Sequence, residues 1–372
     1  MKLFHISDLH LGKRVSEFSL LEDQAYILEQ ILSLVDREKP HAVLVAGDVY
    51  DKAVPGVEAV RLWDYFLWQL ATRGVPTLII SGNHDSPERM AFGERIMCKG
   101  GVYLAPVFDG TLSPITLTDE HGDVDFYLLP FVKPVHVRQC FPDAEIATYT
   151  DAIRHVVSQI PLRTTCRNVL LAHQFVAGAL SCDSEDIVIG GLDHVDVSVF
   201  DPFDYVALGH LHSPQGVGCD ALRYCGSPLK YSFSESEQTK SVTCIQLAQK
   251  GEAAIQLLPL TPLREMRTLR ASFQDITATP SEDYVHVVLT DEDAIPDAAS
   301  RLRAFFPNLA KLSYDNARTR TQAAVFLPRQ VARQSPLTLF CEFYEAQNGR
   351  PPSPQQAHYL TQLVQQIWEG GL

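Results

Sequence analysis

Five short polar elements, each directly behind an apolar run, constrain this chain more than any other feature. They are Asp8-Leu9-His10, Gly47-Asp48, Gly82-Asn83-His84-Asp85, His173 and Gly209-His210-Leu211-His212. The runs ahead of them are Met1–Ile6, His41–Ala46, Val75–Ile80, Asn168–Ala172 and Asp204–Leu208, whose apolar composition suits buried strands. Helical spacing intervenes over Leu20–Lys39 and over Val57–Arg73, the latter with Val60, Leu62, Trp63, Phe66, Leu67 and Leu70 inward. This alternation predicts a βαβαβ core with right-handed crossovers. Such sheets place their sites beyond the carboxyl ends of the strands. In extended chain, residues i and i+2 project to one side, so Asp8 and His10 can grip one object, and the same two-residue spacing recurs in His210 and His212. One such element alone would be turn chemistry, and a lone His173 a satisfied core histidine. Five in order make a site.

The rest of the chain completes an α/β sandwich. Val102–Ala105, Gly110–Leu117 and Val124–Leu129 suggest a second sheet, and Tyr149–Ile160 a helix. Leu222–Cys225, Ser241–Gln246 and Ala253–Leu258 read as strands, with Gly226-Ser227-Pro228 as a turn. A length of 372 residues calls for two or three units. The character shifts at Leu260-Thr261-Pro262, which predicts a first domain over 1–262. A small α+β unit follows over 263–334, with strands Tyr284–Leu289 and Ala323–Phe326 and helix Ala298–Phe306. Residues 335–372 hold two helices, Leu337–Gln347 and Pro354–Trp368, broken at Asn348-Gly349-Arg350-Pro351-Pro352. Leu360, Leu363, Val364, Ile367 and Trp368 form a stripe on the second, suited to internal packing or to docking on a partner helix.

The polar elements supply a donor set for two metals. Two divalent ions about 3.5–4 Å apart clamp the attacking and leaving oxygens of a phosphoryl transfer and acidify the attacking water. Asp48, at a central strand end, is the natural bridge. Asp8, His10 and His212 then complete one ion, and Asn83, His173 and His210 the other. Hard oxygens mixed with imidazoles, without thiolate, suit Mn, Fe or Zn better than Ca or Cu. His84 is left to contact the phosphate or protonate the leaving oxygen. The other histidines (His5, His41, His121, His136, His155, His194, His286, His358) read as core or surface residues, with His5 a possible outer support of the site.

Eight cysteines without a C-x-x-C pair argue against a zinc ribbon and fit a reduced, cytoplasmic setting. No apolar run reaches the roughly 18 residues that a membrane span requires, and no signal-peptide pattern opens the sequence. A net charge of −14 counts against a large nucleic-acid-binding face.

These motifs resemble the calcineurin-like metallophosphoesterases. Within them, Ser7-Asp8-Leu9-His10-Leu11-Gly12, Ala46-Gly47-Asp48-Val49-Tyr50-Asp51, Tyr205–His212 and Tyr224-Cys225-Gly226-Ser227-Pro228 look like the bacterial branch of double-strand-break repair nucleases. The resemblance is strong over 1–260 and architectural beyond. It implies the metallophosphoesterase two-sheet fold and a Mn-dependent nuclease acting on DNA, exonucleolytic on double strands and endonucleolytic on single strands or hairpins. It further implies a capping domain that helps select DNA, C-terminal helices docking on an ATPase coiled coil, and a homodimer within a heterotetramer. Asp51 stands where archaeal and eukaryotic relatives carry a histidine near the phosphate. It and Asp85 are therefore expected to position neighbours or phosphate. Ala172 replaces a more usual glycine. A phosphomonoesterase or cyclic-nucleotide phosphodiesterase on the same core is the alternative, and a metal-dead scaffold ranks last.

Overall fold

The computed structural model describes residues 1–185, 194–293, 295–316, 336–348 and 350–370. Two six-stranded sheets lie face to face. The first runs in the order Ala253–Pro259, Ser241–Leu247, Lys2–Ile6, Ala42–Ala46, Thr77–Ile80, Val102–Ala105. Its last four strands are parallel, and the first two attach antiparallel. The second runs Gln215–Val217, Cys219–Tyr224, Tyr205–Gly209, Arg167–His173, Gly122–Leu129, Ile115–Asp119, parallel in its four central strands.

Strand pleating divides the core into three layers. Leu3, Leu44 and Leu78 meet Phe126, Leu128, Leu171 and Ala207 between the sheets. Phe4, Ile6, Val43 and Val45 turn the other way, onto Ile27, Ile31, Phe66 and Leu70 of helices Leu21–Glu38 and Val57–Thr72. Helix Tyr149–Ser158 lays Ile153, Val156 and Val157 on Tyr127, Leu129, Leu170 and Val206, covering the second sheet. Each such side chain contributes about 1.5–3 kcal/mol by leaving water. Because the central strands bury both faces, they read as continuous apolar runs.

Several elements differ from expectation. Val60 is 42% exposed and Ala59 takes its inward place, so the buried stripe sits one residue earlier on that helix. The strand expected over Gly110–Leu117 begins only at Ile115 and forms a hairpin with Gly122–Leu129. The unforeseen helix Pro134–Cys140 follows that hairpin, with its N1 proline pre-set for helical φ.

Beyond residue 262, Met266–Ala271, Tyr284–Leu289 and Leu309–Tyr314 make a parallel three-stranded sheet. Helices Phe273–Thr277 and Ala298–Arg303 cover it, around a separate core of Ile276, Val285, Val287, Leu289, Leu302 and Phe306. The expected helix over Ala298–Phe306 thus stops at Arg303, and Ala323–Phe326 lies outside the described residues. This unit is tied to the first helix of the chain. Arg264 pairs with Glu22 and, at 2.8 Å, with Asp23, which also accepts from the Tyr284 hydroxyl at 2.8 Å. Helices Pro336–Asn348 and Pro354–Gly370 pack against each other, with a Gln356–Tyr344 hydrogen bond of 3.2 Å.

Candidate metal centre

The two sheets bring all five polar elements to one place. Lys2–Ile6, Ala42–Ala46 and Thr77–Ile80 deliver Asp8 and His10, Asp48, and Asn83 and His84 from one sheet. Arg167–His173 and Tyr205–Gly209 deliver His173, His210 and His212 from the other. His173 Nδ1 reaches across the sheets to the Ala46 carbonyl at 2.8 Å. Approach this close leaves no room for a β-carbon at the loop glycines. One on Gly82 would lie 2.0 Å from Asp48 Oδ1, and one on Gly209 would lie 1.9 Å from the Ala46 carbonyl.

The donor atoms converge as two linked groups, since Asp8 lies with His10 and His212 and also with Asp48 and His173. Asp8, His10 and His212 form one, and His10 Nε2 faces His212 Nε2 at 3.1 Å. Asn83 Oδ1 anchors the other, 3.0 Å from His173 Nε2 and 2.9 Å from His210 Nδ1. Asp48 lies between them, its Oδ2 3.7 Å from His10 Nε2 and 3.4 Å from His173 Nε2. Asp8, His10, Asp48, His173, His210 and His212 are all buried. Two imidazole nitrogens aimed at each other beside buried carboxylates are a poor hydrogen-bonding arrangement and a good cation-binding one. Asp8, His10, Asp48 and His210 hold φ values of 53°, 43°, 50° and 100°, in the left-handed region that costs a non-glycine residue about 1 kcal/mol or more. Backbone strain at four of the donors fits a site rather than a set of relaxed turns.

Electrostatics separate these groups. Burial pushes the Asp8 carboxyl up to about 6, and the neighbouring Asp48 adds to the rise. Burial opposes charge on Asp48 too, but His173, His10 and His84 outweigh it and hold that carboxyl well below the usual carboxylate range. His173 is likewise desolvated, yet Asp48 and Asp8 raise it to about 9. Burial drives His10 well below the usual imidazole range, and burial with the His173 charge drives His210 down to about 3. Below about pH 9 an entering cation must therefore displace the His173 proton, and below about pH 6 the Asp8 proton as well. Cation affinity is expected to rise with pH to about 9, more steeply below about 6. Calorimetry at pH 7.5 in buffers of differing ionisation enthalpy should show at least about one proton released per chain, that of His173, with any from ionised bound water in addition. No release would mean that His173 is neutral before loading.

The remaining candidates take distinct places. His84 is only partly buried, with Nε2 4.0 Å from Asp48 Oδ2 and Nδ1 3.1 Å from the Asp51 carbonyl. The Asp51 side chain pairs with Lys13 at 2.8 Å and lies 3.9 Å from His10 Nδ1, and its backbone carbonyl supports His84. Both oxygens of the Asp85 carboxylate are spent on the amides of Val49, Tyr50 and Gly82 at 2.9–3.1 Å, locking the Asp48 loop to the Asn83 loop. His5 bonds to Tyr205 in the layer between the sheets. Of the helical stripe, Leu363 is exposed, Leu360 and Val364 are partly exposed, and the side chains of Ile367 and Trp368 lie outside the described residues.

Four supporting residues escaped the sequence. Gln24 accepts from the Gly12 amide at 2.9 Å and donates to the His10 carbonyl at 2.7 Å, holding the Asp8–Gly12 loop. Ser184, Glu235 and Lys240 surround His212. No local pattern marks them, because each acts across the fold. Cys182 stands beside Glu235, where burial and that carboxylate push its thiol up to about 12, which leaves it a neutral neighbour.

Residues 1–214 match the family of calcineurin-like phosphoesterases. The chain belongs to that family. As a calcineurin-like phosphoesterase it has the metallophosphoesterase fold and is a metal-dependent phosphoester hydrolase. Its family and its donor groups support two divalent cations. Residues 262–348 match a second family, SbcD_C, described as the type 5 capsule protein repressor C-terminal domain. Curated relatives extend over the whole chain. A protein of Staphylococcus epidermidis, named as the SbcD component of the nuclease SbcCD, is 31% identical over 98% of both chains. One of the same name from Staphylococcus saprophyticus is 29% identical over 100% of both. Its relatives thus put this calcineurin-like phosphoesterase in the SbcD branch. The crystal structure of a dimetal phosphatase from Danio rerio aligns over 69% of this chain and 95% of its own, with a TM-score of 0.43 and 10% identity. No helix among the described residues is long and apolar enough to cross a membrane.

Proposed function

We propose that the chain is the nuclease subunit of an SbcC-type ATPase complex in DNA break processing, recombination and repair. On this reading it degrades double strands as an exonuclease and opens single strands or hairpins as an endonuclease, with Mn as the working metal and Fe or Zn as alternatives. The observation that carries the reading is the full-length match to the two SbcD relatives, which includes the chain beyond the phosphoesterase domain. The domain assignment follows: nuclease over 1–262, a DNA-selecting cap over 263–334, and docking helices over 335–372 that bind the ATPase coiled coil. Phe340, Phe343, Tyr359 and Leu363 on those helices are exposed, which supports a surface awaiting a partner. We further assign a homodimer within a heterotetramer, acting at the nucleoid in the cytoplasm. A charge of −14 fits a subunit that borrows its DNA contacts from that partner.

In this assignment Asp8, His10 and His212 would hold one ion and Asn83, His173 and His210 the other, with Asp48 placed to serve both. The ions would supply a Lewis acid for the phosphoryl oxygens and an acidified water. The chain's own residues do the rest. His173 gives its Nδ1 proton to the Ala46 carbonyl, which turns Nε2 into the site as a donor atom. His84, partly open to solvent and held by the Asp51 carbonyl, is placed to meet the phosphate or to protonate the leaving oxygen. The loops are fixed by Gln24 and Asp85, so little reorganisation remains when substrate arrives.

Incubation of the purified chain with Mn and an end-labelled DNA hairpin should give metal-dependent cleavage. Hydrolysis of a small phosphomonoester or cyclic nucleotide without hairpin cleavage would favour the alternative enzyme, and neither activity with no bound metal a scaffold. Truncation at residue 335 should abolish co-purification with an SbcC-type partner. Retained binding would overturn the docking assignment.

A further inference from the structure

His212 differs from the other imidazoles in how its ring is held. His173 gives its Nδ1 to a backbone carbonyl, whereas His212 Nδ1 lies 2.7 Å from the Ser184 hydroxyl. Ser184 in turn donates its single proton to Glu235 Oε1 at 2.6 Å. With that proton committed, the 2.7 Å bond to the ring must carry the imidazole's proton, so His212 is protonated at Nδ1. Nε2 then bears the lone pair, and it is Nε2 that faces His10 at 3.1 Å.

Glu235 is itself fully buried and tightly held. Lys240 Nζ lies 2.6 Å from its Oε2, and its Oε1 also accepts from the Tyr231 amide at 3.1 Å. Lys240 donates as well to the His212 carbonyl at 2.8 Å. One buried ion pair therefore fixes both the backbone and the ring of the same residue. Buried pairs of this kind are weak stabilisers, because desolvation offsets their attraction, so a positional role explains this one better than stability does.

We propose that Glu235, acting through Ser184 and backed by Lys240, is a positioning residue that sets the tautomer and direction of His212. The proposal rests on His212 as a metal ligand. It makes the binding strength of one cation, not of both, depend on a hydroxyl outside the donor set. Outer partners of ligating histidines are typically worth about 10–100-fold in metal affinity.

The test is a Mn titration of the full chain, followed by calorimetry, with thermal melting of the metal-free proteins alongside. Ser184→Ala should weaken one of two sites by about 10–100-fold and leave the other unchanged. Ser184→Thr, which keeps the hydroxyl, should restore it, and Glu235→Gln should weaken the same site. Two sites of unchanged affinity in Ser184→Ala would overturn the relay. A Glu235→Gln protein that melts earlier but binds both ions normally would do the same, because it would make the ion pair purely structural. If His212→Ala leaves both sites intact, the ligand assignment itself falls, and the relay with it.

Discussion

On the proposed assignment, replacing Asp48 with asparagine is expected to lower kcat/KM by at least about 10³-fold, since a carboxylate shared by both cations is worth several kcal/mol and each 1.4 kcal/mol is tenfold. The reason lies in its two oxygens. Oδ1 accepts from the His84 amide at 2.9 Å, a bond that an asparagine oxygen reproduces. Oδ2 faces His173 Nε2 at 3.4 Å and His10 Nε2 at 3.7 Å, and there an amide NH2 would oppose the ligands and any cation among them. The loops should keep their shape while the ions lose their bridge. Metal analysis should show fewer than two bound ions per chain. Stability should separate the two states. Without metal, Asp48 is a buried carboxylate whose charge helps to hold Asp8 up to about 6, so its removal relieves one repulsion while His173 loses a partner. The metal-free melting temperature should therefore stay within a few degrees, roughly a 1 kcal/mol effect. Saturating Mn stabilises the parent by about 2.7 kcal/mol at 100-fold over Kd, and it should stabilise the variant less. A collapsed metal-free protein would make Asp48 a folding residue instead.

The site was largely legible because its geometry is written locally. Each donor follows a strand buried on both faces, and such strands are continuous apolar runs that announce their own ends. Spacing singles out Asp8 with His10 and His210 with His212, but the extended backbone it assumes is absent: Asp8, His10 and His210 have positive φ, and His10 faces His212 while His210 meets Asn83. Legibility failed where structure is half-exposed or long-range. Met266–Ala271 and Leu309–Tyr314 are the outer strands of the small sheet, and their Arg267, Arg270 and Lys311 break the apolar run that marks a central strand. Val60 is expected inward yet lies exposed, because a helical stripe about 100° wide leaves its flanking positions undetermined. Ser184 and Glu235 meet His212 from 28 and 23 residues away along the chain, through a side-chain network with no period. Asp51 reaches His84 through a backbone oxygen, which any residue type would supply, while its side chain lies 2.8 Å from Lys13 and 3.9 Å from His10 Nδ1.

His84 is where metal binding and catalysis should come apart. His84→Ala is expected to lower kcat by about 10²–10⁴-fold, the usual worth of a positioned general acid. Both ions should remain bound, because Asp8, His10, Asp48, Asn83, His173, His210 and His212 are untouched. The distinction from a ligand is visible in its placement. Its side chain is 19% exposed against 3% for Asp48, its Nε2 is 4.0 Å from that carboxylate, and its Nδ1 is committed to the Asp51 carbonyl. His10, Asp48 and His84 also lie close enough to group around one cation, so the assignment needs a test that separates acid from ligand. The leaving group provides it. A nucleoside leaving oxygen is a strong base that needs a proton as the P–O bond breaks, whereas a nitrophenolate departs without one. For a general acid, the loss should be large on DNA and shrink toward unity on bis-p-nitrophenyl phosphate, with two ions per chain throughout. For a ligand, both substrates should suffer equally and metal content should fall.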